Sequence, residues 1–303
     1  FLDPHGDAVE SLLDYIPSFR ADEVIYLNPA DRDFPIPLNV LAEVRPENRH
    51  LLVSGILSVF QKLYPEYWHH RQEHIMRNCL LALLEHPGRK TLHEVYRMLV
   101  ETGYRKGILK GVTDPVVASF WKNEFSKYLY QYQGRPLSPL LNKLGGFLTT
   151  PLLRNMVGRK KCAIDFRKVL DEGKILLVNL SQGKIGEDVS SFLGSVIVTK
   201  LYLAALSRVE VPESQRRDFY LYVDEFQNFV ASDSFDSILS EARKYRLSLT
   251  LAHQYLGQLD EKLRQAIFGN AGTLVAFAVG PEDAEYLESE FRPRFDRHDL
   301  IGQ

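Results

Sequence analysis

The sequence predicts an α/β protein, a mainly parallel sheet interrupted by an all-helical insertion. Three observations lead there. From Ile164 onward, short apolar runs alternate with helical stretches, the pattern of βαβ units. Residues 45–159 show helical periodicity only. Two apolar runs, Asp218 to Val223 and Leu247 to Ala252, each stop on polar groups, Asp224-Glu225 and His253-Gln254. A parallel sheet brings such strand ends to one rim, and ligands bind outside that carboxyl rim.

Each element follows from local chemistry. Phe1-Leu2 ends a strand. Ala8 to Ile16 repeats apolar residues at three and four until Pro17 stops it, and Glu23 to Leu27 alternates toward a strand broken by Asn28-Pro29. A Pro-rich linker, Phe34 to Asn39, follows. His50 to Tyr64 sets Leu52, Ile56, Val59, Phe60 and Leu63 on one stripe, and Trp68 to Glu85 repeats Ile75, Cys79, Ala82 and Leu83. Thr91 to Glu101 opens on an N-cap Thr. Asp114-Pro115 starts a helix expected to reach about Tyr132, and Thr150-Pro151 repeats that device before Gly158 closes the segment. Beyond Ile164, strands at Lys174–Leu180, Phe219–Val223, Leu247–Ala252 and Thr273–Val279 alternate with helices at Ile185–Leu206, Ser234–Tyr245, Glu261–Phe268 and Pro281–Phe291. The expected division is 1–44 and 160–303 for the two parts of the sheet domain, with 45–159 as the helical insertion.

Composition narrows the function classes. A net charge of −2 argues against a chain that is basic throughout for nucleic-acid binding. Any such contact would come from a local patch, such as Arg154 with Arg159-Lys160-Lys161 or Arg216-Arg217, or from the inner wall of a ring. Cys79 and Cys162 form no C-x-x-C, which suits a reducing cytosol. The apolar stretch Phe192 to Leu206 is interrupted by Lys200, so neither a membrane span nor a signal peptide is expected. His70-Arg71-Gln72-Glu73-His74 fits the H-x-x-E-H zinc-peptidase pattern but needs a third ligand from elsewhere. The polar face of an amphipathic helix, whose other face holds Ile75 and Cys79, is the reading expected here.

The rim residues suit nucleotide hydrolysis. One acid can hold Mg²⁺ through water, a second can polarise the attacking water, and a Gln can sense the γ-phosphate. No G-x-x-x-x-G-K-[ST] occurs, and Gly183-Lys184-Ile185-Gly186 is the nearest approach to a phosphate loop.

Val223-Asp224-Glu225-Phe226-Gln227-Asn228-Phe229, the run Glu241 to Leu249, and Ala252-His253-Gln254 resemble the HerA/FtsK superfamily of ring-forming DNA-pumping ATPases. Within it they resemble the TraD/TraG-like coupling proteins of conjugation and type IV secretion. Leu2 to Asp7, Pro151 to Gly158, Gly173 to Ser181 and Gly269 to Thr273 extend the resemblance almost end to end. It implies a RecA-like P-loop NTPase core with an all-α insertion, here a fragment whose first strand and P-loop precede Phe1. In relatives the P-loop strand lies between the strand ending at Gln254 and that around Thr273 to Val279. The implied cofactors are ATP and Mg²⁺, with Asp224 as the water-mediated Mg²⁺ partner and Glu225 orienting or deprotonating water. Gln254 would report on the γ-phosphate, and Asp3 and His5 would be rim contacts. Arg243, eleven residues before Gln254, would reach a neighbouring subunit's phosphates as an arginine finger. The implied partners are DNA, identical subunits in a hexamer, and relaxosome or secretion-channel proteins. The implied location is the cytoplasm, at the inner membrane's cytoplasmic face. A HerA-like translocase without a secretion role and a non-catalytic adaptor are the alternatives.

Overall fold

The computed structural model describes residues 1–42, 44–130, 137–230 and 232–302. β1 (Leu2–Asp3), α1 (Asp7–Leu13) and β2 (Val24–Leu27) come first. Helices α2 (Arg49–Leu63), α3 (His70–Glu85), α4 (His93–Val100), α5 (Thr102–Leu109), α6 (Pro115–Ser119), α7 (Phe125–Tyr130), α8 (Ser138–Thr149), α9 (Pro151–Val157) and α10 (Phe166–Asp171) follow without an intervening strand among the described residues. Then come β3 (Ile175–Asn179), the short α11 (Gln182–Ile185), α12 (Glu187–Leu206), β4 (Phe219–Val223), α13 (Ser232–Glu241) and β5 (Leu247–Leu251). Three helices close the chain, α14 (Glu261–Asn270), α15 (Pro281–Phe291) and α16 (Arg297–Ile301).

The sheet has the order β2-β3-β1-β4-β5 and every pairing is parallel. β1 is short but central, with Leu2 opposite Val178 on one side and Val223 on the other. β1 is wholly buried and β3 nearly so, as expected where both faces of a parallel sheet are covered. β4 instead alternates, and Tyr220 and Tyr222 are exposed on its open face.

α12 is the central core helix. Leu193, Ile197 and Leu201 are fully buried, and α2 packs along it. A Cβ on Gly55 would lie 2.7 Å from the Thr199 methyl, so glycine lets the two helices approach. The segment around α12 is, by length and composition, long and apolar enough to cross a membrane, contrary to the expectation from Lys200. The reason is that α12 is apolar on all sides because α2, α10 and the neighbouring turns pack around it, and the buried Lys200 gives its ammonium to the Ala42 carbonyl.

Two further expectations change. The helix begun by Asp114, whose carboxylate accepts from Val116 and Val117 N–H at 2.7 and 3.1 Å, passes through a π-turn at Phe120–Glu124, and its expected end at 131–132 lies outside the described residues. Thr273–Val279 forms no strand. No neighbour among the described residues pairs with it, and β5 ends the sheet, so Val275 and Phe277 stand 76% and 81% exposed.

Candidate functional site

The carboxyl rim is assembled from three strand ends. After β1, Asp3 is buried and accepts N–H bonds from His5 at 2.8 Å and Val9 at 3.1 Å. It therefore braces the turn into α1 rather than facing solvent. Gly6 makes that turn at φ 95°, where a Cβ would come 2.6 Å from the Asn179 amide oxygen at the end of β3. His5 itself is exposed.

Asp224 and Glu225 follow β4 and diverge. Asp224 N–H donates to the Leu2 carbonyl at 3.0 Å, which fixes it beside Asp3. Burial raises its carboxyl above the usual aspartate range, the charges of Glu225 and Asp3 push the same way, and the Glu225 backbone and His5 oppose them. Glu225 is 7% exposed and takes the left-handed conformation, φ 45°, which non-glycine residues adopt at a cost of about 1–3 kcal/mol. Its Oε2 accepts from the Gln227 side-chain amide and, at 3.5 Å, from that of Gln258.

β5 brings the third end. Phe226 N–H donates to Ala252 O at 3.1 Å and Ala252 N–H to Val223 O at 3.0 Å, so the two loops leave the sheet together. The Gln254 side chain is exposed, and its N–H donates to Gln258 Oε1 at 3.0 Å. Gln258 thus links the Gln254 loop to Glu225. Gln227 and Gln258 were not singled out from the sequence. Gln227 stands inside the Asp-Glu-Phe-Gln run, but Gln258 lies in a loop with no pattern to mark it.

Arg243 is not part of this cluster. It sits exposed in the 3-10 turn Ala242–Tyr245 that precedes β5, at the sheet's amino rim, whereas Gln254 follows β5 at the carboxyl rim. Within one chain the length of β5 separates the two.

The rim fits the metal half of a nucleotide site. A half-buried carboxylate among like charges gains from a divalent cation. Among the described residues no three His, Cys, Asp or Glu side chains converge to chelate one directly. The phosphate half is not evident. Gly183 to Gly186 lies in and just after α11, and Lys184 there pairs with Glu10 at 3.2 Å. In the zinc-like motif, His74 Nε2 meets Glu124 at 3.2 Å.

Comparison with known proteins places these features. Residues 218–289, which hold Asp224, Glu225, Arg243 and Gln254, match the family model described as the TraM recognition site of TraD and TraG. No curated protein matches the chain. The fold matches the unbound bacterial conjugative coupling protein TrwBdeltaN70 with TM-score 0.62 at 22% identity, covering 96% of this chain and 64% of that one. Plasmid coupling protein TrwB in complex with ADP and Mg²⁺ matches with TM-score 0.61 at 19% identity, covering 96% and 66%. VirB4 of Thermoanaerobacter pseudethanolicus matches with TM-score 0.53 at 14% identity, covering 95% and 78%. The chain therefore spans under two thirds of the first of these structures. The family match around the rim, on a fold shared with a conjugative coupling protein, supports the TraD/TraG-like coupling ATPase branch as the group this chain resembles.

Proposed function

We propose that these residues are part of an ATP-driven DNA pump of the conjugative or type IV secretion type, working as a hexameric ring at the cytoplasmic face of a membrane. The observation that carries this is the rim itself: Asp224 held among like charges, and Glu225 buried in a strained conformation and gripped by two glutamines. Mg²⁺, when bound with ATP, would neutralise charge developing on the phosphates. Asp224 would hold its water shell. Glu225, fixed by Gln227 and Gln258, would orient the attacking water and accept its proton. Gln254 would pass the state of the γ-phosphate through Gln258, and Asp3 would stiffen the turn that carries His5. Arg243, remote from its own rim, would serve the site of an adjacent subunit.

The reading requires a phosphate cradle, and no G-x-x-x-x-G-K-[ST] occurs in the 303 residues. β5 has no partner on its outer side among the described residues, where a further parallel strand leading to such a cradle could pair. Family resemblance also supports DNA and relaxosome proteins as partners, and the matched segment is described as a TraM recognition site in TraD and TraG.

Glu225→Gln tests the assignment in a protein joining these residues to a phosphate loop. It should leave ATP binding nearly intact and abolish hydrolysis, because it removes the proton acceptor without changing shape. Turnover within a few-fold of the parent would sink the catalytic role.

A further inference from the structure

The loop that follows Glu225 is held from outside the sheet. Its backbone carbonyls point away from any ladder and are taken by side chains of two helices. Ser191 of α12 donates to Asn228 O at 2.7 Å. Lys62, in the last turn of α2, donates its ammonium to Gln227 O and, at 3.0 Å, to Val230 O. Gln227 is the residue whose side-chain amide grips Glu225. A chain of two contacts therefore runs from α2 to the acid, Lys62 to the Gln227 carbonyl and the Gln227 amide to Glu225. Beside it lies a cleft of about 560 Å³, walled by Ser58, Gln61 and Lys62 of α2, by Gln227 and Gln258, and by Lys262 of α14.

We propose that Lys62 is a positioning residue through which the helical region between β2 and β3 sets the orientation of Glu225. The inference rests on the catalytic reading of Glu225. An ammonium is suited to the task because one group can satisfy two carbonyls that would otherwise be left in a partly buried loop. Burial lowers the Lys62 pKa to about 8, with Glu187 opposing the shift, so the amine sits where a solvated lysine would not. Movement of α2 relative to α12 would pull directly on the Gln227 carbonyl. That gives the helical region a mechanical hold on the hydrolytic acid.

Hydrogen–deuterium exchange on the 303-residue chain tests the hold. Lys62→Met keeps the length of the side chain and removes the donors. Amides 226–230 should then exchange about tenfold faster, the effect of losing one charge-assisted hydrogen bond, while amides of β4 and α12 stay unchanged. Lys62→Arg, which keeps charge and donors, should restore most of the protection. Unchanged exchange at 226–230 in Lys62→Met would overturn the proposal. So would a uniform rise across β4 and α12, which would make Lys62 a general packing residue.

Where ATP turnover is measured, Lys62→Met should lower kcat by about a hundredfold, as misplaced catalytic groups do, with KM for ATP unchanged. A rise in KM alone would contradict the link to Glu225. The exchange readout is independent of hydrolysis, so it can fail while Glu225→Gln still abolishes turnover, and the reverse can also occur.

Discussion

The two halves of the sheet differ in what covers them. β1 and β3 are largely buried and β2 half-buried, and beside them α2 and α10 pack onto α12, with Phe60, Phe147 and Phe192 in mutual ring contact at 4.3 to 6.2 Å. β5 pairs with β4 on one side and, among the described residues, with no strand on the other. Tyr220 and Tyr222 face outward, and Val275 and Phe277 lie on an extended segment that forms no ladder. Both regions carry strand-like sequence, but Thr273–Val279 has no strand beside it among the described residues. Apolar β-favouring residues specify a strand only where another strand takes up the backbone bonds. The β5 side, the open half, is thus where a further segment or a second chain could pair, and the side packed by α12 and α2 is the closed half.

The largest expected effect belongs to the open half. If Arg243 serves an adjacent subunit, Arg243→Ala should lower turnover on the order of a thousandfold, and mixing it with the Glu225→Gln protein should restore some activity at mixed interfaces. No rescue at any ratio, in rings shown to be mixed, would mean Arg243 acts within its own chain or not at all. Next comes the closed half. Phe192→Ala removes a fully buried ring at the junction of α12 with α2 and α8 and should cost roughly 3–5 kcal/mol in denaturant unfolding. A loss below about 1 kcal/mol would show that the junction is loosely packed.

A smaller effect follows from Lys62. Its pKa falls from 10.5 to about 8 on folding. Below pH 8 both states hold the proton and the folded state bears the cost of burying it. Between pH 8 and 10.5 the unfolded chain holds more protons, so stability should rise with pH by up to about 3 kcal/mol relative to Lys62→Met. A flat difference between the two proteins over that window would contradict the burial. Smallest of all, Phe277→Ser should change unfolding free energy by no more than about 0.5 kcal/mol. It should nonetheless reduce self-association, measured by sedimentation, because the exposed ring stabilises only contacts between chains.

Much of this was legible in the sequence. Four of the five observed strands, and the Pro281–Phe291 helix, sit within a residue or two of where periodicity puts them, because buried parallel strands and proline-started helices leave strong local marks. β1 could be read only as a strand's end. The place of Asp224 and Glu225 at the carboxyl rim was legible because they terminate an apolar run. What was not legible depends on tertiary placement. Thr91 was expected to cap a helix, but Glu94 reaches back to the Thr91 N–H instead. Asp3 was expected as a ligand contact, yet both its oxygens are committed to the backbone. Gln258 and Lys62 touch the site only because the chain folds back on itself, and no spacing in the sequence reports that. The helices Thr102–Leu109 and Ser138–Thr149 carry interior glycines, which blur the helical signal.

The central claim is that residues 1–303 hold the metal and water half of a nucleotide site and lack the phosphate half. Titration calorimetry of this chain with ATP and Mg²⁺ tests it most directly. The account predicts no measurable binding, because most of the phosphate-binding energy would come from a backbone cradle and lysine absent from these residues. Micromolar affinity would contradict it and would mean that another segment, Gly183 to Gly186 being the first to examine, cradles the phosphates.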